Sequence, residues 1–266
     1  PEHPQLAVER SFHLVGSGQL DAAFANMEET LERFPSNISN TTSLAQFSLS
    51  LRGDKNRFME LMQGLGQEHP NAALTMDSYQ RLRLGTSDLD ATIAAFDALQ
   101  DGPNPWQRVF FDINVSELLN LASREAESIA RARNALDTAE MLMSEGRALP
   151  GNSPELYYAQ FTYAACLADD RGAFNRYRSI TRAMRPSELG NAYRADTIMA
   201  MAMAECGEVE SAWALIEDHV HGLYGVSAWD LVLDPLWQRY FADLPEYRSL
   251  EEQTRSGQPA VTPTAD

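Results

Sequence analysis

A unit that returns at regular intervals constrains this chain most. Gly16-Ser17-Gly18-Gln19-Leu20-Asp21-Ala22-Ala23-Phe24-Ala25 comes back 69 positions later as Gly85-Thr86-Ser87-Asp88-Leu89-Asp90-Ala91-Thr92-Ile93-Ala94. A weaker copy, Arg52-Gly53-Asp54-Lys55-Asn56-Arg57-Phe58, lies between them, and Pro35, Pro70 and Pro103 are spaced by 35 and 33 residues. Helix, turn, helix and then Pro, repeated about every 34 residues, is the pattern of a helical solenoid. Such a unit cannot bury its apolar face alone, so stacking of neighbours makes the core.

The 266 residues are long for one globular core and ordinary for a stack. Net charge is −17, so the segment lacks the Lys/Arg surplus that phosphate backbones require, and nucleic acid is not an expected partner. No apolar run approaches the ~20 residues that span a bilayer, so membrane insertion by this segment is not expected. Cys166 and Cys206 form neither a disulfide framework nor a zinc spacing. Both fall at the ends of first helices of successive units and read as small buried thiols. The chain opens at Pro1 without Met, which suggests a fragment of a larger protein, and the bacterial cytoplasm is favoured over the periplasm as its compartment.

The first unit (about 4–35) places Leu6, Phe12, Leu14 and Val15 on one helix and Ala22, Ala23, Met27 and Leu31 on the next. The small residues let the pair approach closely. Phe34-Pro35 then ends the second helix, because the residue before Pro disfavours the helical region. Units at about 37–70 and 71–102 repeat this arrangement. The rhythm slips at 103–150, read as one unit with extended helices, a true insertion being the competing reading. A fifth unit opens at Asn152-Ser153-Pro154-Glu155 and a sixth after Pro186. Residues 255–266 lack apolar periodicity and are expected to be a disordered tail.

Gly18-Gln19-Leu20-Asp21-Ala22-Ala23 through Phe34-Pro35 resembles tetratricopeptide (TPR) repeats, although Ala7 stands where those repeats carry a large aromatic. The end, Leu233-Asp234-Pro235-Leu236-Trp237 with Asp243-Leu244-Pro245-Glu246-Tyr247-Arg248-Ser249-Leu250, resembles the close of the repeat region in bacterial regulators. In those, a winged-helix domain, a nucleotide cyclase or a kinase precedes the repeats. The resemblance implies an all-α right-handed solenoid of about six helix pairs over 1–254, with a cap at about 233–254. Asp234 would cap a helix beginning at Pro235, and Trp237, Tyr240 and Phe241 would cover the last repeat.

No nucleophile elbow, phosphate loop or metalloprotease helix occurs, so neither enzymatic activity nor a cofactor is expected. Asp218-His219-Val220-His221 is the one cluster of metal-ligand type, and its imidazoles diverge on a helix, so no metal site is assigned. First helices of TPR stacks line the concave face. That geometry puts Phe12, Asp77, Arg81, Tyr158 and Arg194 on a groove suited to a peptide, a helix or a second copy. Arg171, Arg178, Arg182 and Arg185 form a stripe that would meet an acidic partner or a solvated face. The expected function is therefore a protein-interaction or sensory module. The alternative is a small-ligand sensor with a pocket at the fourth and fifth units, lined by Trp106, Phe110 and Tyr157.

Overall fold

The computed structural model describes residues 3–85, 88–99, 104–151, 153–184, 189–220 and 226–256, with the side chains of Asp77, Ser78 and Leu189 left aside. Among the described residues the chain is helical and has no strand. Five helix pairs carry most of it: α1 (Pro4–Gly16) with α2 (Leu20–Arg33), α3 (Ile38–Arg52) with α4 (Lys55–Glu68), α8 (Pro105–Leu121) with α9 (Glu125–Ser144), α10 (Pro154–Leu167) with α11 (Arg171–Ala183), and α12 (Leu189–Glu205) with α13 (Val209–Ile216). Three shorter helices, α5 (Pro70–Leu74), α6 (Asp77–Arg83) and α7 (Leu89–Leu99), fill the interval between the second and third of these pairs. The helix expected across 71–84 is thus broken at Thr75-Met76.

One turn closes all five pairs. Gly18, Gly53, Ser123, Asp169 and Gly207 each sit one or two residues after the first helix, with φ between 55° and 82°. In four of the five turns the next N–H reaches back five residues, as from Gln19 to the Leu14 carbonyl and from Asp170 to the Ala165 carbonyl. That bond satisfies a helix-end carbonyl that would otherwise lack a partner. Side-chain caps start two of the following helices, Asp54 accepting from the Arg57 N–H and Asp170 from the Ala173 N–H.

Ion pairs run between the second helices at close to the repeat spacing. Arg57 on α4 meets Glu28 on α2, Arg124 just before α9 and Arg131 on α9 meet Asp90 and Asp97 on α7, and Arg176 on α11 meets Glu140 on α9. Arg171 and Arg178 continue the series to Glu208, which precedes α13. These pairs are largely exposed and contribute little stability individually, but they fix which helices lie side by side. Residues 105–144 form a single long pair, joined inside by the buried Ser116 and Ser128 and by Asp112, which accepts from Arg131 and Asn134.

The two cysteines are bonded to each other, with Cα atoms 5.3 Å apart. This corrects their reading as separate thiols: the C-terminal ends of α10 and α12 lie side by side, within the span that a disulfide bridges.

The C-terminal residues make three helices, α14 (Ala228–Leu233), α15 (Pro235–Phe241) and α16 (Pro245–Ser256). Ser227 and Asp230 start α14 with a reciprocal capping box, and Asp234 caps α15 at its Leu236 N–H, with Pro235 in the first turn. Trp213 of α13 packs edge-on against Phe241 and Tyr247, so the segment covers the last pair. It also reaches far beyond it. Asp230 bonds Ser50 on α3, Trp229 lies on Gly53, Asp234 pairs with Arg81 on α6, and Arg239 donates to Asn120 on α8. Tyr240 meets Tyr163 on α10 and donates to Glu205 on α12. Residues 226–247 are a strap that touches nearly every pair. Gly53 has φ 64°, and an added Cβ would stand 2.4 Å from the Trp229 ring, so this glycine serves both the turn and the strap.

Candidate central chamber

The strap and the facing helices line a half-open cavity of about 290 Å³. Its walls come from α3 (Gln46, Leu49), α6 (Arg81), α8 (Ile113, Asn114, Glu117), α10 (Gln160, Tyr163), α12 (Arg194, Thr197, Ile198, Met201) and the strap (Asp230, Asp234, Trp237). Helical spacing explains the sets from α8 and α12. Residues 113, 114 and 117, and residues 194, 197, 198 and 201, recur at three- and four-residue intervals and share one helix face.

At one wall a three-way charge cluster joins distant parts of the chain. The Arg81 guanidinium donates from Nη1 to Glu117 at 2.9 Å and from Nε to Asp234 at 2.6 Å, and all three side chains are less than one-tenth exposed. Arg81 belongs to the inner face, as the sequence implied, but it is not open to a partner: its charge is committed to the strap. Beside it, Asp230 accepts from the Ser227 N–H, the Ser227 hydroxyl and the Ser50 hydroxyl, and no cation pairs with it among the described residues. Burial pushes its carboxyl up from the ordinary aspartate range, against the lowering effect of those hydrogen bonds. Asp230 is partly exposed and lines the chamber. Tyr163 and Tyr240, hydrogen-bonded to each other at 3.3 Å, are both held neutral well above the usual tyrosine range, chiefly by burial.

Arg194 reaches the same chamber from α12, exposed and without an ion pair among the described residues. Of the other groove candidates, Phe12 is 46% exposed and packs edge-on against Phe47, away from the cavity. Tyr158 lies among Phe161, Tyr177 and Met143, inside the packing of α9, α10 and α11. The Asp77 side chain and all of Arg185 fall outside the described residues. Two members of the arginine stripe are occupied within the chain, because Glu208 takes both Arg171 and Arg178, while Arg182 is exposed. Trp106 is buried, with its indole N–H on the Ala148 carbonyl, and Phe110 packs on Tyr157. That trio is a packed part of the structure and does not line the cavity, although Phe110 and Tyr157 lie one turn before its residues on α8 and α10.

Asp230, Glu117, Asp234, Gln160 and Trp237 escaped the sequence reading as chamber residues. Their only local signal was the Asp234-Pro235 helix start. His219 sits edge-on against Tyr193, 3.8 Å from Asp196, and no group of three metal-ligand side chains converges among the described residues. No helix among them is long and apolar enough to cross a membrane. No family model matches the chain, and no curated protein matches it significantly. Among the described residues the chain is all-helical, and helices distant in sequence meet at a charged cavity.

Proposed function

We propose that this chain is a non-enzymatic sensory module of the TPR kind, part of a larger bacterial regulator, and that it binds a small molecule in the central chamber. The observation that carries this is the strap. A peptide-binding solenoid needs an open inner face, and here residues 226–241 occupy that face and leave about 290 Å³. Two turns of a helix ~10 Å across fill roughly 850 Å³, so a docked helix would have to expel the strap. A compact metabolite would not. The in-register turns and the ion-pair series between second helices support the repeat reading. The chamber's hydroxyls, Thr75, Tyr163 and Thr197, have no histidine among the chamber's lining residues to activate them, which supports binding over catalysis.

Because the strap contacts α3, α6, α8, α10 and α12 around the chamber, a bound molecule would tighten it against them. Thermal unfolding against pools of small metabolites tests this. One pool should raise the midpoint for the wild-type chain and leave the Thr197→Phe variant, whose chamber is filled, unmoved. If every pool leaves both unmoved while a lysate protein binds in place of the strap, the interaction reading takes over.

A second reading, contact with a protein through α1, rests on Leu6 and Phe12, which are 55% and 46% exposed on that helix. Light scattering at micromolar concentration would show a doubled mass if the contact were self-association.

A further inference from the structure

Resting on the chamber as the binding site, we infer that its ligand is a small zwitterion, an α-amino acid with an apolar side chain. The chamber presents two charges of opposite sign that the protein does not itself neutralise. Asp230 offers a carboxylate bonded only to hydroxyls and one backbone N–H, and Arg194 offers a guanidinium with no acidic partner. They do not pair with each other, although both line the same small cavity. A buried carboxylate without a cation is costly, and an ammonium group supplies both the charge and up to three donors. Gln160 also lines the chamber, and its buried Oε1 has no hydrogen-bond partner among the described residues. Arg194 matches a carboxylate, which its planar donor pair can hold at both oxygens. The wall between is apolar and aromatic, with Ile198, Met201 and Trp237, and suits a hydrocarbon side chain.

The other charges of the chamber favour the same ligand, because Arg81 is shared between Glu117 and Asp234 and that cluster keeps a formal negative charge, which adds to the pull on an ammonium. A purely anionic ligand would leave Asp230 uncompensated and would sit close to Glu117 and Asp234. A purely cationic one would leave Arg194 unused.

Calorimetric titration of the full chain with each of the common L-amino acids, singly, tests the inference. Each binder is then compared with its deamino acid, which lacks the ammonium, and its decarboxylated amine, which lacks the carboxylate. At least one apolar amino acid should bind, and each truncated analogue should bind at least tenfold more weakly, the loss expected for a charge-assisted hydrogen bond. Arg194→Gln changes an exposed side chain and should leave the fold intact. It should weaken the amino acid at least tenfold while leaving the amine's affinity within twofold. Asp230→Asn should reverse that pattern, selectively weakening ligands that carry the ammonium; since Asp230 also caps α14, its thermal midpoint is measured alongside. Equal affinity for the deamino acid overturns the zwitterion. Binding of a neutral or dianionic metabolite that Thr197→Phe abolishes, with no amino acid bound, overturns the inference and keeps the chamber. No small molecule bound at all overturns both.

Discussion

Replacing Arg81 by Leu should cost more stability than any other single substitution at the chamber. The guanidinium lies between Glu117, at 2.9 Å, and Asp234, at 2.6 Å, and the three side chains are 9%, 8% and 4% exposed. Leucine fills much of the volume and leaves two carboxylates buried side by side. Breaking a buried ion pair by removing one partner costs about 3–5 kcal/mol. A domain of ordinary stability has about 5–15 kcal/mol in all, so the variant should lose roughly a fifth or more of its margin. Urea unfolding followed by far-ultraviolet circular dichroism measures this directly. Limited proteolysis should show new cuts in residues 226–247 first, because Asp234 holds the strap to the body. Adding Glu117→Gln and Asp234→Asn to Arg81→Leu should return part of the loss, since both carboxylates are then neutral and Asn still caps α15. A loss below about 1 kcal/mol, the range of exposed ion pairs, would refute the reasoning and place the cluster in solvent.

Reduction of the Cys166–Cys206 bond, which closes a span of 40 residues, should lower stability by about 4 kcal/mol on chain-entropy grounds. Thiol titration of the oxidised chain should find no free thiol, and a denaturation midpoint indifferent to reductant would contradict this. Gly53→Ala should destabilise by about 1–2 kcal/mol from its left-handed backbone alone, with a further loss from displacing Trp229; quenching of tryptophan fluorescence by iodide should increase, and an unchanged emission would count against the contact. The phenols of Tyr177 and Tyr247 are pushed up to about 12, mainly by burial. Their folded values lie above the unfolded value of about 10, so this stabilising contribution is complete below pH 10 and is lost between pH 10 and 12. Urea midpoints at pH 9 and 11 should therefore fall with rising pH, and less steeply for Tyr247→Phe.

The helical class was legible because it is written locally. Gly18, Gly53 and Gly207 occupy left-handed turn positions, and Pro105, Pro154 and Pro235 open helices. Where another residue type takes the turn, as Ser123 and Asp169 do, the glycine signal disappears although the geometry stays. Asp169 holds the αL position that Gly fills elsewhere. The strap was not legible. Its contacts join Ser50 to Asp230 across 180 positions and Arg81 to Asp234 across 153, and no period or cap encodes a pairing at such separations. Sequence reasoning placed Arg81 and Arg194 on an inner face, and both line the chamber. It could not show that the chain's own C-terminus also lies there. Phe12 and Tyr158 went elsewhere because neighbouring aromatics, Phe47 for one and Phe161 with Tyr177 for the other, offered tighter packing than an open groove.

Everything proposed for the chamber depends on the strap lying across the inner face in solution. Amide hydrogen exchange of α14 and α15, read by mass spectrometry in the free protein, measures that most directly. The account predicts that residues 228–241 exchange as slowly as α3 and α8, the helices they bridge. Exchange of 228–241 at open-chain rates, with α3 and α8 protected, would mean an open inner face and no chamber.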